Sequence, residues 1–275
     1  MPQSVRPFPP QFVYLCFGKS PGLKRELAYS VSTLLAEIGG DASRVAVFTD
    51  QPQDFAAWPV NVVDISGRLK AMQWTGDGHF HLRAKPAALA EALRLFRRDC
   101  VLLDTDSFVR PGFADAVERA LAAGAAMNAF VRSCAYSFFG PFETDLPRVG
   151  RYRFDSVSAP MLNSGLVAAR PEHLDVIEDS VTLTDRLWVA GLRQHDTEQF
   201  AIGECFRFAG VEVALIDHEF HHYCQRWARR YMRRKLRRRL PSATAPPVAA
   251  RPDVPLSKTR VRLFKGRKLA RIGLR

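Results

Sequence analysis

Two carboxylates two residues apart, Asp104-Thr105-Asp106, follow directly on the apolar run Cys100-Val101-Leu102-Leu103. Hard divalent cations such as Mg²⁺ and Mn²⁺ prefer oxygen ligands and bridge protein carboxylates to substrate phosphates. A carboxylate pair just beyond the C-terminal end of a buried strand lies where α/β folds place their ligands. Such a triplet is commonly a solvated turn, so its position after the strand is what marks it. Upstream, Arg83 and Lys85 precede an apolar-striped helix, where positive charge beside a helix N-terminus suits phosphate. Downstream, Asn163-Ser164-Gly165 pairs an amide that can donate to and accept from hydroxyls with a glycine that lets a ligand approach the backbone. A plain turn before a strand is the other reading of that triplet. Asp196 and Glu198 flank Thr197 at the start of a further helix, where Asp196 could equally serve as an N-cap.

The elements that must position these residues are legible in outline. Phe12–Phe17 reads as the first buried strand and Lys24–Ile38 as a helix closed by Gly39-Gly40. Val45–Phe48 and Val60–Val63 read as the next strands, so that a βαβ unit and a mainly parallel sheet are expected. Pro86–Phe96 predicts a helix, Phe113–Ala123 another, and Ala125–Val131 a strand. Pro141–Ser158 is polar and irregular and reads as a loop or insert over the site. Met161–Ala169 is apolar again, Leu174–Leu187 and Glu198–Phe208 read as helices, and Val211–Ile216 as a strand. Gly18-Lys19-Ser20 lacks the first glycine of a phosphate-binding loop, because Val13 stands five residues before Gly18.

Four stretches occur in order: RAKPAALAEALRLF, VLLDTDSFVRPGF, MLNSGLVAARPEH and RQHDTEQFAIGE. In that order and spacing the chain resembles the GT-A glycosyltransferases, in particular family-eight-like enzymes that use nucleotide-diphosphate sugars, over Phe12–Tyr223. The resemblance implies an α/β, Rossmann-like fold with a mostly parallel central sheet flanked by helices. It implies that Asp104 and Asp106 hold Mn²⁺ or Mg²⁺ against the donor diphosphate, with Asp104 also near the ribose. The third metal ligand in such enzymes is often a late histidine; His222 is the first choice here, with His221 and His218 open. The glycine and Lys-Pro-Trp usual after that histidine are absent. By the same resemblance Phe17 faces the nucleotide base, Arg83 and Lys85 the phosphates, and Asn163, Ser164 and Gly165 the sugar. Asp196 and Glu198 lie in the stretch carrying a carboxylate near the anomeric carbon or the acceptor. Asp196 could act as base toward an acceptor hydroxyl or only hold donor hydroxyls. Thr197 stands where many retaining members have Gln, which leaves the stereochemical outcome open. Uridine is the expected base, and a cell-envelope glycan or glycolipid the expected acceptor.

Charge divides the chain. The 275 residues carry a net charge of +12, but His221–Arg275 holds 18 of the 40 Lys/Arg and one of the 28 acids, leaving 22 bases against 27 acids before it. The organisation expected is a catalytic domain over 1–223, a basic amphipathic helix over 224–240, a Pro/Ala-rich linker over 241–257 and a second basic segment over 258–275. Trp227, Tyr231, Met232, Leu236 and Leu240 fall mostly four apart on the basic helix, a pattern that suits an anionic membrane surface. Nucleic acid or plain solvent are the other readings of such a tail; the acidic body argues against a specific nucleic-acid partner. A nucleotidyltransferase and a catalytically silent pseudoenzyme are the alternatives for the body. Five scattered cysteines without a Cys-x-x-Cys pair predict no disulfide framework and a reducing compartment. No run of 18 apolar residues and no secretory signal is seen, so a cytoplasmic protein peripheral to the inner face of the membrane is expected.

Overall fold

The computed structural model describes residues 8–70, 72–76, 80–133, 142–155, 159–254 and 265. The first unit forms as its pattern predicts. β1 (Gln11–Leu15) leads through α1 (Pro21–Glu37) to β2 (Val45–Thr49), and the two strands pair in parallel. Ser20 ends the preceding loop as the N-cap of α1, its hydroxyl accepting from Leu23 N at 3.4 Å, with Pro21 just inside the helix. Gly18-Lys19-Ser20 is thus the turn into a helix.

β3 (Asn61–Asp64) and the short α2 (Ser66–Lys70) follow, then α3 (Ala84–Phe96), β4 (Cys100–Leu103) and β5 (Ser107–Val109). α4 (Phe113–Ala123), β6 (Ala125–Met127) and β7 (Phe130–Ser133) come next. The single strand expected over Ala125–Val131 is two, because Asn128 leaves the sheet to bond with Asn163. β8 (Glu143–Leu146) and β9 (Gly150–Arg153) form a hairpin in the stretch expected to be irregular. Tyr152 and Leu146 anchor it in a core shared with Leu183, Leu187 and Phe200. β10 (Pro160–Leu162), β11 (Leu166–Ala169), α5 (Leu174–Val189), α6 (Thr197–Phe208), β12 (Val213–Leu215), β13 (Phe220–His222) and α7 (Arg226–Arg239) complete the described elements.

The central sheet has the order β12-β6-β11-β4-β1-β2-β3. Only β11 runs against its neighbours, so the expected α/β class with a mostly parallel sheet is what the chain adopts. Strand alternation feeds a core on each face. Phe12 and Tyr14 of β1 and Val101 and Leu103 of β4 face Leu27, Val31 and Leu34 of α1 and Val117 of α4. Val13, Cys100 and Leu102 face Ala88, Leu89 and Ala92 of α3 and Ile202 of α6. The chain leaves β1 toward β2 on one side and reaches β4 on the other. The crevice between the C-terminal ends of β1 and β4 is therefore a switch point of the kind that holds ligands.

The basic C-terminal segment is not a free tail as far as Val254. α7 lies on α1, and Ala228, Tyr231, Met232 and Leu236 are buried with Tyr29, Phe108, Tyr223 and Val254. The apolar stripe expected to meet a membrane thus meets the protein instead. Beyond α7 the Pro/Ala-rich stretch runs back over the domain. Arg25 donates to Leu240 O and Pro241 O at 2.7 Å each, Trp58 Nε1 to Thr244 O at 2.9 Å, and Ala250 N to Ser32 O at 3.0 Å. The second basic segment, Lys258–Arg275, lies outside the described residues apart from Lys265. Among the described residues no helix is long and apolar enough to cross a membrane.

Candidate metal and donor-binding site

β4 ends in the core and delivers Asp104 to the crevice. Asp104 N donates to Gly165 O at 2.8 Å, extending the antiparallel pairing of β4 with β11 by one residue. The chain then turns into β5, which pairs antiparallel with β13 in the register Ser107↔His222 and Phe108↔His221. Tyr223 N donates to Asp106 O at 3.0 Å. This short ladder chooses between the candidate histidines. Alternation sends His222 toward the Asp pair and His221 to the other face, where it stacks on Phe108 with ring centroids 4.9 Å apart. His218 is exposed.

His222 Nε2 lies 3.3 Å from Asp104 Oδ2 and 3.6 Å from Asp106 Oδ1. One ligand atom from each of Asp104, Asp106 and His222 falls within 4.8 Å of the others. The tautomer follows from the neighbours. Asn163 Oδ1 accepts from Gly165 N at 2.9 Å and from Asn128 Nδ2 at 3.2 Å, so it is an acceptor, and it stands 2.9 Å from His222 Nδ1. Nδ1 therefore carries the hydrogen, and Nε2 is the nitrogen turned to the carboxylates. Burial disfavours the imidazolium, yet hydrogen bonds to Asp106 and Cys224 and the two carboxylate charges raise the His222 pKa to about 10. Burial opposes ionisation of Asp106 too, but His222 and Arg229 outweigh it and hold that carboxyl below its ordinary range. Two carboxylates and an imidazole converging in this way fit a divalent cation that accepts mixed oxygen and nitrogen ligands.

A ring of further groups supports the cluster. Lys85, in the first turn of α3, is buried, its Nζ 2.9 and 3.0 Å from the two oxygens of Asp104 and 2.9 Å from Ser164 Oγ. A cation there opposes the helix dipole, and burial works against it as well. Asp104 and Glu198 outweigh both and raise its pKa. Ser164 Oγ donates to Glu198 Oε1 at 3.1 Å, and Lys85 Nζ lies 3.7 Å from that same oxygen. Among the described residues Glu198 Oε2 has no hydrogen-bond partner. Burial pushes the Glu198 pKa up to about 7 despite Lys85.

These residues line one cleft of about 480 Å³, together with Leu15 at the end of β1 and Phe17 beyond it, His81, His195, Asp196, Gln199, Cys224 and Arg229. The structure thus brings together Phe17, Lys85, Asp104, Asp106, Asn163, Ser164, Asp196, Glu198 and His222. Gly165 sits beneath His222. Thr197 is buried, and its hydroxyl bonds within the preceding loop, donating to Gln194 O at 2.8 Å. Arg83 is not brought to this cleft. Its guanidinium grips Asp185 through two bonds of 2.5 and 2.7 Å and lines a separate cavity with Phe80 and Trp188. The guanidinium expected to meet phosphate is thus paired with Asp185 of α5.

The sequence does not mark two groups that matter here. Arg229 of α7 reaches back to the site with Nη1 3.1 Å from Asp106 Oδ2. Glu26 of α1, fully buried, holds Arg229 and Arg233 together at 2.9–3.2 Å. Arg229 was hidden by its company: nine bases in 14 residues look alike until one points inward.

No family model and no curated protein matches the sequence. Among solved structures, the chain is similar to the apo form of mouse xyloside xylosyltransferase 1, at 11% identity and a TM-score of 0.46, covering 77% of this chain and 86% of that one. That likeness is too distant to carry a function across.

Proposed function

We propose that this chain is a metal-dependent glycosyltransferase of GT-A type, close in design to the family-eight enzymes. It would move a sugar, a hexose in our reading, from a nucleotide-diphosphate donor to a glycan or glycolipid acceptor. The observation that carries this reading is the convergence of Asp104, Asp106 and His222 at the β1/β4 switch point, in a cleft large enough for a donor sugar nucleotide. Asp104, Asp106 and His222 would hold the cation. The imidazole favours Mn²⁺ over Mg²⁺, which is bound almost wholly through oxygen. When bound, the cation supplies charge neutralisation for the departing nucleoside diphosphate.

The chain's own groups divide the remaining work. Phe17 offers an aromatic face at the β1 end of the cleft for the base, uridine in this reading. Lys85 fixes Asp104 and Ser164. Asn163 and Gly165 set the imidazole, and Ser164 lies deep in the cleft toward the sugar. Glu198, poised to change charge near neutrality, and Asp196 at the mouth of α6 are the candidate catalytic carboxylates. The outer face of α7 keeps Arg226, Arg230, Lys235, Arg237 and Arg238 exposed. In our reading these bases hold the enzyme by charge at an anionic membrane surface, the inner face of the cytoplasmic membrane, where a lipid-linked cell-envelope acceptor would lie.

The test is release of nucleoside diphosphate from a panel of nucleotide sugars with Mn²⁺ present, for wild type and for Asp104→Asn/Asp106→Asn. The double variant should keep its fold and lose turnover by a factor of at least about 10³, the scale on which transition-state charge stabilisation operates. Undiminished turnover would sink the assignment.

A further inference from the structure

Arg229 ties the acidic pair to a second, buried acid. Its Nη1 lies 3.1 Å from Asp106 Oδ2, while Nε and Nη2 hold Glu26 at 3.2 and 3.0 Å. Glu26 is fully buried and also takes Arg233 at 2.9 and 3.0 Å. One edge of the Arg229 guanidinium is therefore anchored, and the other borders the cleft. Lys85 is the other cation of the site, and its position differs. Its ammonium is buried and already engaged by Asp104 and Ser164, so it has little left to offer a ligand.

Asp106 turns Oδ1 to His222 and Oδ2 to Arg229, so a divalent cation seated among Asp104, Asp106 and His222 comes within a few ångströms of the guanidinium. Two positive charges a few ångströms apart repel strongly in a site screened from water. The local balance points the same way. A divalent cation adds two positive charges to a site already lined by Lys85 and Arg229, and a diphosphate is the group that neutralises them. We infer that Arg229 and a divalent cation exchange on Asp106. Entry of the cation turns Nη1 away from Asp106 and into the cleft, where it donates to a diphosphate oxygen of the ligand. This rests on the metal-site reading given above. It makes α7 part of the binding site, with Glu26 as the anchor about which Arg229 pivots.

Titration calorimetry on the full chain tests this with Mn²⁺ alone, then with inorganic pyrophosphate or uridine diphosphate at saturating Mn²⁺. Arg229→Gln removes a competitor for Asp106 and a donor to phosphate, so the two affinities should move in opposite directions. We expect Mn²⁺ to bind about fivefold more tightly. Pyrophosphate should bind about tenfold or more weakly, the scale of one charge-assisted hydrogen bond. Uridine diphosphate should lose the same factor, because Arg229 reads only the diphosphate. A residue that merely props up the fold would weaken both ligands or neither. Unchanged Mn²⁺ affinity or unchanged pyrophosphate affinity overturns the exchange while leaving the metal site intact. A loss confined to uridine diphosphate also overturns it, by moving Arg229 to the nucleoside. Wild type that takes no Mn²⁺ overturns the metal reading and the exchange with it. If Arg229→Gln fails to fold, Arg229→Lys decides: the competing charge is kept and the planar donor fork is lost. Mn²⁺ affinity should then hold while pyrophosphate affinity falls, and unchanged pyrophosphate affinity overturns the proposal.

Discussion

Gly165 and His222 are packed so closely that a single methyl group cannot come between them. A Cβ at position 165 would lie 2.3 Å from His222 Nδ1 and 2.8 Å from Asn163 Oδ1. The glycine of Asn163-Ser164-Gly165 therefore makes room for the His222 imidazole. Gly165→Ala should push the imidazole off Asn163 and turn Nε2 away from the Asp pair. Mn²⁺ affinity should fall about 10–100-fold, the usual cost of losing the groups that orient a ligand. Calorimetric titration of Mn²⁺ checks this, and an unchanged affinity would show that His222 is not a ligand.

Asn163 tests the same geometry from the other side. Its Oδ1 accepts the Nδ1 hydrogen and so keeps Nε2, the nitrogen a cation would take, turned to Asp104 and Asp106. Asn163→Ala removes the acceptor and frees the ring to rotate, and we expect a loss of Mn²⁺ affinity similar to that of Gly165→Ala. Asn163→Asp keeps an acceptor at the same place and should restore much of it. Equal losses in both variants would mean that the acceptor oxygen of Asn163 does not set the imidazole.

How far the sequence carried this picture depends on how local each feature is. β1, α1, α3, β4 and α6 are long or apolar enough to declare themselves by period, and Asp104 inherited its significance from β4. The pairing of β5 with β13 did not. Each has three residues, their partners are more than a hundred positions apart, and only that ladder separates His222 from His221. The β8–β9 hairpin resembles a loop in sequence because most of its side chains are polar and exposed. Arg83 and Lys85 look equivalent in sequence because they stand two positions apart. Two residues advance the direction of a side chain by about 200° around a helix, so one turns to Asp185 and the other to Asp104. The stripe on α7 was seen correctly as apolar, but period alone cannot say whether lipid or Tyr29 and Phe108 will cover it.

Glu198 should give the protein a distinctive pH dependence. Its folded pKa is about 7 against an ordinary 4.5, because burial favours the neutral acid more than Lys85 favours the anion. Between those two values the folded state keeps a proton that the unfolded chain has released. Stability from this group therefore falls as pH rises from 4.5 through 7 and stays low above that. Glu198→Gln abolishes the titration. Relative to wild type, the variant should gain stability between pH 4.5 and pH 8, by up to about 3 kcal/mol for a shift of this size. Urea denaturation at both pH values, with chelator present, measures it. A difference between variant and wild type that does not change with pH would mean that Glu198 ionises normally.

The packing of α7 makes a prediction that separates a docked helix from a free tail. Leu236 is fully buried between α1 and the returning strap, in a cluster with Tyr29, Met232 and Val254. Truncating a buried leucine removes its transfer free energy and leaves a cavity, at about 2–5 kcal/mol. On a helix that only visits a membrane, the same change would leave the stability of the domain untouched, because the side chain would be in solvent in both the folded and the unfolded chain. Leu236→Ala should therefore lower the urea midpoint of the whole domain in one cooperative transition. The loss should appear in fluorescence from Trp58, read in a background with Trp74, Trp188 and Trp227 replaced by Phe, and not only in signals from the C-terminus. If α7 melts on its own while Trp58 still reports an unaltered midpoint, the helix is an appendage, and the path from Glu26 through Arg229 to Asp106 loses its support.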